Sequence, residues 1–279
     1  MPTKIRGFPA YAEWLTDYCS KHEDVFVRDS WSSIDYCLQL DQKLPDEYGW
    51  TFSSEESFKR QVRAVLDPAS INRIYWTDQA RNVEAYATTT FWRGVELLKP
   101  AIRSLNIHEI ITPAVLSRSL LELSCFFLIH ANNLEKAFSE LQFPNGAVVV
   151  SQELEEKIVK MIWGTRYGDP DPHVKQTNVL GYIQKASKNP KASNVQDVYD
   201  YLCDIAHPSF IGNTRFWSHI DRTNDDGSER RIIGRYSSGP STTEILDKII
   251  WSLGWSAAVL RNSFEITANG LKILLDKTK

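Results

Sequence analysis

The stretch that decides the fold runs from Thr112 to Asn133 and reads TPAVLSRSLLELSCFFLIHANN. Pro113 suits the first turn of a helix, where its missing N–H has no partner to lose, and Thr112 can cap ahead of it. From Ala114 to Ala131 apolar residues occupy nearly every side of the implied helix. A helix with one apolar stripe lies on a surface, whereas one that is apolar all round must be surrounded. The stretch therefore predicts a central helix with a bundle built around it.

Working outward, Val83, Ala87, Phe91, Val95, Leu98 and Ile102 recur at steps of four and three, the stripe of a long helix beginning near Thr77. Pro100 inside it predicts a kink or a break. Downstream, NNLEKAFSELQF, SQELEEKIVKMIWGT and HVKQTNVLGYIQKASK each predict a helix. The Pro-, Gly- and Asp-rich loops RYGDPDPH and SKNPKASN punctuate them. NVQDVYDYLCDIAH predicts the next helix, ended by Pro208. The period then changes from 3.6 to 2, and RFWSHIDR, a turn containing DDGSE, and RRIIGRY predict a β-hairpin over about 215–236. A last helix is expected from about Ser241 to Asp276, opened by a Ser241–Glu244 capping box.

The first seventy residues are aromatic-rich and less regular. AYAEWLTDYCSKHED predicts a short helix with Tyr11, Trp14, Leu15 and Tyr18 on one face. SSEESFKRQVRAVLD predicts another, with Ser53 and Glu56 at capping-box spacing and Pro68 closing it. The expected architecture is all-α: a multi-helix bundle over residues 71–279 with one inserted hairpin, and residues 1–70 as a helical appendage packed on it.

With 279 residues, 42% of them hydrophobic and 24% charged, the chain has the composition of a globular protein. Its net charge of −3 excludes a whole-molecule basic field, so a polyanionic partner would have to meet a local patch. The four cysteines form no C-x-x-C, and Cys125 and Cys203 lie in apolar helical runs, as free thiols in a reducing compartment do. The opening MPTKIRGFPAYAEW holds no signal-like apolar core, and IIWSLGWSAAVL (Ile249 to Leu260) is too short to span a bilayer. A soluble cytoplasmic protein with no membrane partner is the expectation.

Two polar constellations sit on these apolar elements. Arg118 and Glu122 are four apart on the central helix and share a face. Two charges there need each other, and a structural ion pair is one reading of them. Asp197, Asp200 and Asp204 form an acidic stripe leading to His207, opposite Val195, Val198, Tyr199, Leu202 and Ile205. Asp204, one turn before His207, can hold one imidazole nitrogen, and the helix C-terminus favours the charged ring. This places a general acid–base at the helix end, or simply a histidine that caps carbonyls.

The order Tyr199, Leu202, Cys203, Asp204, His207, Pro208, Gly212, following the Arg118-x-x-x-Glu122 helix, resembles a group of uncharacterised bacterial all-helical proteins. The likeness covers roughly Thr77 to Lys279 and implies an all-helical fold, without an assigned activity. Cys203 stands where a serine is expected in that pattern. More distantly the bundle is similar to HEPN-type domains, many of them metal-independent ribonucleases of defence and toxin systems. Their Arg-x4–6-His motif is missing here; the nearest spacing is Arg215-x-x-x-His219, one residue short and in an expected strand.

Three functions follow. In a nuclease-like enzyme acting on RNA without a cofactor, Arg118 steadies a phosphate and His207 moves the proton, with Glu122, Asp204 and Tyr199 orienting them. The hairpin's Arg215, Trp217, Arg222, Arg231 and Arg235 would contact a single strand, although Asp221, Asp225, Asp226 and Glu229 offset their charge. A divalent-metal hydrolase would use Asp200, Asp204 and His207, joined by Glu122. A non-catalytic interaction protein would use the charged pairs as locks and pack its last helix, with Trp251 and Trp255, on a second copy or on the product of a neighbouring gene.

Overall fold

The computed structural model describes residues 11–51, 53–165, 167–172, 174–175, 178–207, 213–214, 217–234 and 241–279. Helix α1 (Glu13–Ser20) buries Leu15 and Cys19, while the Tyr11 hydroxyl donates to Asp35 at 2.5 Å. Helix α2 (Val25–Asp41) begins where the Asp24 carboxylate accepts the Phe26 N–H at 2.7 Å, an ordinary N-cap. It buries Val27, Ile34, Cys37 and Leu38. Sequence periodicity gave no sign of this helix, because serines and aspartates break up its apolar stripe. Its buried side chains belong to the same continuous core as the rest of the bundle, so the first seventy residues supply a core helix.

Helix α3 (Glu55–Arg63) is capped by Ser54, which accepts from the Ser57 N–H at 3.2 Å, and not by Ser53. Adjacent serines offer the same hydroxyl, so spacing cannot choose between them. Helix α4 (Pro68–Asn106) starts well before Thr77: Asp67 accepts the Ser70 N–H at 2.8 Å and Pro68 stands in the first turn. Pro68 thus opens a helix where the sequence suggested it closed one. The helix passes Pro100 without a break. Leu98, Ala101, Ile102 and Leu105 beside it are fully buried, and their packing outweighs the roughly 3 kcal/mol that an interior proline costs.

Helix α5 (Ile111–Glu140) has no side-chain cap, so Thr112 does not serve as one. It runs straight through Asn132 to Glu140 and absorbs most of NNLEKAFSELQF, which was expected as a separate helix. With neither Gly nor Pro between the two stretches, nothing stops the chain. Its C-terminal carbonyls are met by Lys277, whose ammonium donates to Phe138 O at 3.1 Å and Leu141 O at 2.9 Å. Helix α6 (Gln152–Trp163) is capped by Ser151, whose side chain accepts the Leu154 N–H. Helix α7 (Leu180–Ser187) is shorter than expected, and Thr165 and Lys175 ahead of it form an isolated bridge. Helix α8 is Val195–Ala206.

Strands β1 (Ser218–Thr223) and β2 (Glu229–Ile233) pair antiparallel, with Gly227 at φ 81° in the turn where a side chain would be strained. Helix α9 (Ser241–Lys277) closes the fold; the Ser241 side chain of the expected capping box lies outside the described residues. Helix α9 packs along α5 and also against α2, α4 and α8, which makes it as central as α5. Two glycines allow the approach. A Cβ on Gly254 would sit 2.8 Å from the Ser30 Cα of α2, and one on Gly94 of α4 would sit 2.8 Å from Leu260 Cδ1 of α9. Helix α5 is long and apolar enough to cross a membrane by length and composition. In this fold it lies among α4, α7, α8 and α9.

Candidate functional site

Helix α8 is amphipathic, and burying Val195, Val198, Leu202 and Ile205 seats it against α5. That contact brings Tyr199 and Cys203 onto the Arg118–Glu122 face. The Arg118 Nη2 lies 3.0 Å from Glu122 Oε1, its Nε donates to Cys203 Sγ at 3.1 Å, and the Tyr199 hydroxyl donates to Glu122 Oε1 at 2.9 Å. The guanidinium also stands 5.6 Å from the Tyr199 ring centroid. Four side chains from two helices thus form one connected unit. It is not enclosed: 28% of the Arg118 side chain and 24% of Glu122 reach solvent.

The electrostatics agree with the geometry. Burial alone would lower the Arg118 pKa, but its contacts with Tyr199, Glu122 and Cys203 outweigh burial and raise it, so the guanidinium stays charged. The Tyr199 phenol is pushed up to about 12, chiefly by burial, with Arg118 pulling the other way and Cys203 and Glu122 adding to the rise. It is a donor at neutral pH. Glu122 also lines an open cleft of about 600 Å³, whose walls include Arg93, Thr89 and Ser119. A more apolar groove of about 850 Å³ lies apart from this cluster, between α4 and the end of α9.

His207 does not join the hydrogen-bonded unit. It ends α8: its N–H donates to Cys203 O at 3.0 Å, and its backbone has already turned to φ −84°, ψ 134°. A residue before proline is driven out of the helical region, which is why the helix stops one residue ahead of Pro208. The ring is exposed, one turn beyond Cys203. Asp204 is exposed as well. Asp200 is occupied by Gln196, whose amide donates to both carboxylate oxygens at 2.9 Å. Asp200, Asp204 and His207 therefore do not converge as metal ligands, and among the described residues no three ligand-type side chains do. They follow one another along an exposed helix face, and steps of three and four separate them by a turn each.

In the hairpin, Arg215 and Arg235 lie outside the described residues. Trp217, Arg222 and Arg231 are exposed. Arg231 is 2.9 Å from Glu229 and Arg230 is 3.6 Å from Asp221, so much of the basic charge is already neutralised. Trp251 is buried with only 6% exposure and stacks on Trp255 at 6.0 Å. It is a core residue of α9 and not the exposed interface side chain that the sequence suggested.

Three histidines without an assigned role acquire partners. His22 Nε2 is 3.0 Å from Asp247 of α9, whose carboxylate also takes the Tyr18 hydroxyl. His108, at φ 62°, stacks on Trp14 at 4.3 Å. His130 packs against both Phe126 and Tyr182. All these partners come from distant positions or other elements, apart from Phe126 one turn away, so spacing carried little signal. Comparison with known protein families, curated proteins and solved structures finds no match to this chain.

Proposed function

We propose that this chain is a metal-independent, nuclease-like effector acting on RNA, of the kind found in bacterial defence or toxin systems. The observation behind the reading is the meeting of Glu122 and Tyr199, 77 residues apart, with Arg118 in a unit that stays open to solvent. The exposed His207 stands one turn further along α8. A guanidinium has five N–H donors. Those not used by Glu122 and Cys203 are available to a phosphate oxygen.

In this reading Arg118 holds a non-bridging oxygen, and His207 takes the proton of the ribose 2′-hydroxyl as that oxygen attacks phosphorus. The P–O5′ bond breaks and the leaving oxygen takes a proton from solvent. Glu122 and Tyr199 are positioning residues that hold the guanidinium. In a chelating buffer, the wild type should cleave RNA, and His207→Ala and Arg118→Ala should each lose about 10²–10⁴-fold in rate with unchanged helicity. A wild type inert on single- and double-stranded RNA, or variants as active as it, ends the proposal. Activity that disappears only with chelator moves the assignment to a carboxylate–His metal hydrolase.

One observation favours a second reading, a non-catalytic interaction protein. Among the described elements the hairpin packs chiefly strand on strand. Ile233 lies opposite Ser218, and Ile220 follows two residues on along the same face; they are 67% and 47% exposed. An isolated two-stranded ribbon is marginal alone, and an apolar face on it suits a protein surface. Light scattering of wild type and Ile220→Lys/Ile233→Lys tests it: an oligomer reduced to monomer supports self-association through the arm, and identical masses remove it.

A further inference from the structure

We infer that the open cleft beside the Arg118 unit, walled by α4, α5 and α6, seats a guanine base. Its volume of about 600 Å³ falls within the roughly 300–1,000 Å³ of small-molecule sites. Among the described residues two charged side chains line it, from different helices and of opposite sign: Arg93 on α4 and Glu122 on α5. Both have bonding capacity to spare. Arg93 is exposed and no described residue pairs with it, so its guanidinium donors are open. Both contacts that Glu122 makes fall on Oε1, which lies 3.0 Å from Arg118 Nη2 and accepts from the Tyr199 hydroxyl at 2.9 Å. Its Oε2 is left to accept. Leu97, Leu123, Phe126 and Met161 supply apolar wall, against which a flat ring can lie.

One donor wall and one acceptor wall select among the bases. Guanine carries two acceptors, O6 and N7, on one edge, and donors at N1–H and the 2-amino group on the next. The O6/N7 edge takes an arginine in bidentate fashion, which Arg93 supplies, while N1–H or the 2-amino group donates to Glu122 Oε2. Adenine sets its amino donor beside N7 and turns the N1 lone pair toward the carboxylate, and cytosine and uracil have no N7. That the base belongs to an RNA strand rests on the function proposed above; the recognition itself does not. Because Glu122 is shared with Arg118, the cleft makes guanine the residue adjoining the bond that is cut.

Calorimetric titrations with guanosine, adenosine, cytidine and uridine 5′-monophosphates require no cleavage and test this. Guanosine monophosphate should bind the wild type about fivefold or more tighter than each of the others. Arg93→Ala, at an exposed position, should bring that preference down toward unity. The 7-deaza analogue, which lacks N7, should bind the wild type more weakly than guanosine monophosphate does and bind Arg93→Ala equally well. A trinucleotide AGA with 2′-O-methyl riboses has no free 2′-hydroxyl to attack. If it binds tighter than the mononucleotide and than AAA, the base comes from RNA; if the mononucleotide binds tighter, the site takes a free guanine nucleotide. Four equal affinities, no measurable binding, or an Arg93→Ala protein with the wild-type preference overturns the site. The two readings fail separately. Guanine selectivity in a protein that cuts no RNA keeps the cleft and removes the nuclease, and cleavage without selective binding does the reverse.

Discussion

His130 shows what a single side chain can carry. Its folded pKa is pushed from 6.5 down to about 4, so the folded protein holds fewer protons there than the unfolded chain. The stabilisation is complete above the unfolded value of about 6.5 and is lost progressively as pH falls toward 4. At about 1.4 kcal/mol per tenfold change, the full effect is on the order of 3 kcal/mol. Urea titrations between pH 7 and pH 4.5 should show wild type losing stability faster than His130→Phe, and parallel curves would refute the assignment. The Arg118 unit makes a contrasting point at the same scale. Its charges are satisfied within the protein, and only the fraction still open to solvent leaves room for chemistry. The Arg118–Glu122 pairing was legible, because four residues is one helical turn. Cys203 as a partner of Arg118 was not, since 85 residues separate them.

Among the elements, helices α4 and α5 were recognised in sequence but not delimited. Pro68 initiates a helix instead of closing one, and α4 continues through Pro100 without a break. Local rules state what a proline costs in isolation, while burial on either side decides whether the cost is borne. The crossings of α9 depend on glycines that no local rule singles out. At Gly254 an added methyl meets the backbone of Ser30, whereas at Gly94 it meets the end of the Leu260 side chain. Gly254→Ala should therefore destabilise by about 2–3 kcal/mol, seen as a lower midpoint in denaturant. Gly94→Ala should cost clearly less, because a leucine rotamer can give way and a backbone cannot. Equal effects would mean that the two crossings are equally tight.

For the whole molecule, α2 and α9 share one core cluster that also holds Phe91, Leu121 and Phe138. Residues 25–41 should therefore unfold together with the bundle. Fluorescence of the N-terminal tryptophans and far-UV circular dichroism should trace the same denaturation curve. Ile34→Ala, at a fully buried position, should lower the midpoint of both by the same amount, for a loss of about 2–5 kcal/mol. Two separated transitions would mean that the N-terminal helices are an independent layer.

Periodicity by itself determined that the chain is helical, that a hairpin interrupts it near the C-terminus, and which face of α8 turns inward, since those features repeat within a few residues. It also placed Arg118 beside Glu122 and ended α8 at His207, because one turn and one proline set those relations. Tertiary structure alone decided that α2 exists as a core helix, that α9 shares the centre with α5, and that Tyr199 and Cys203 close around Arg118. It also left His207, Asp204 and Asp200 strung along an exposed face. The reason is range: backbone preference and helical period act over one or two turns, whereas contacts between helices depend on which buried surfaces fit together.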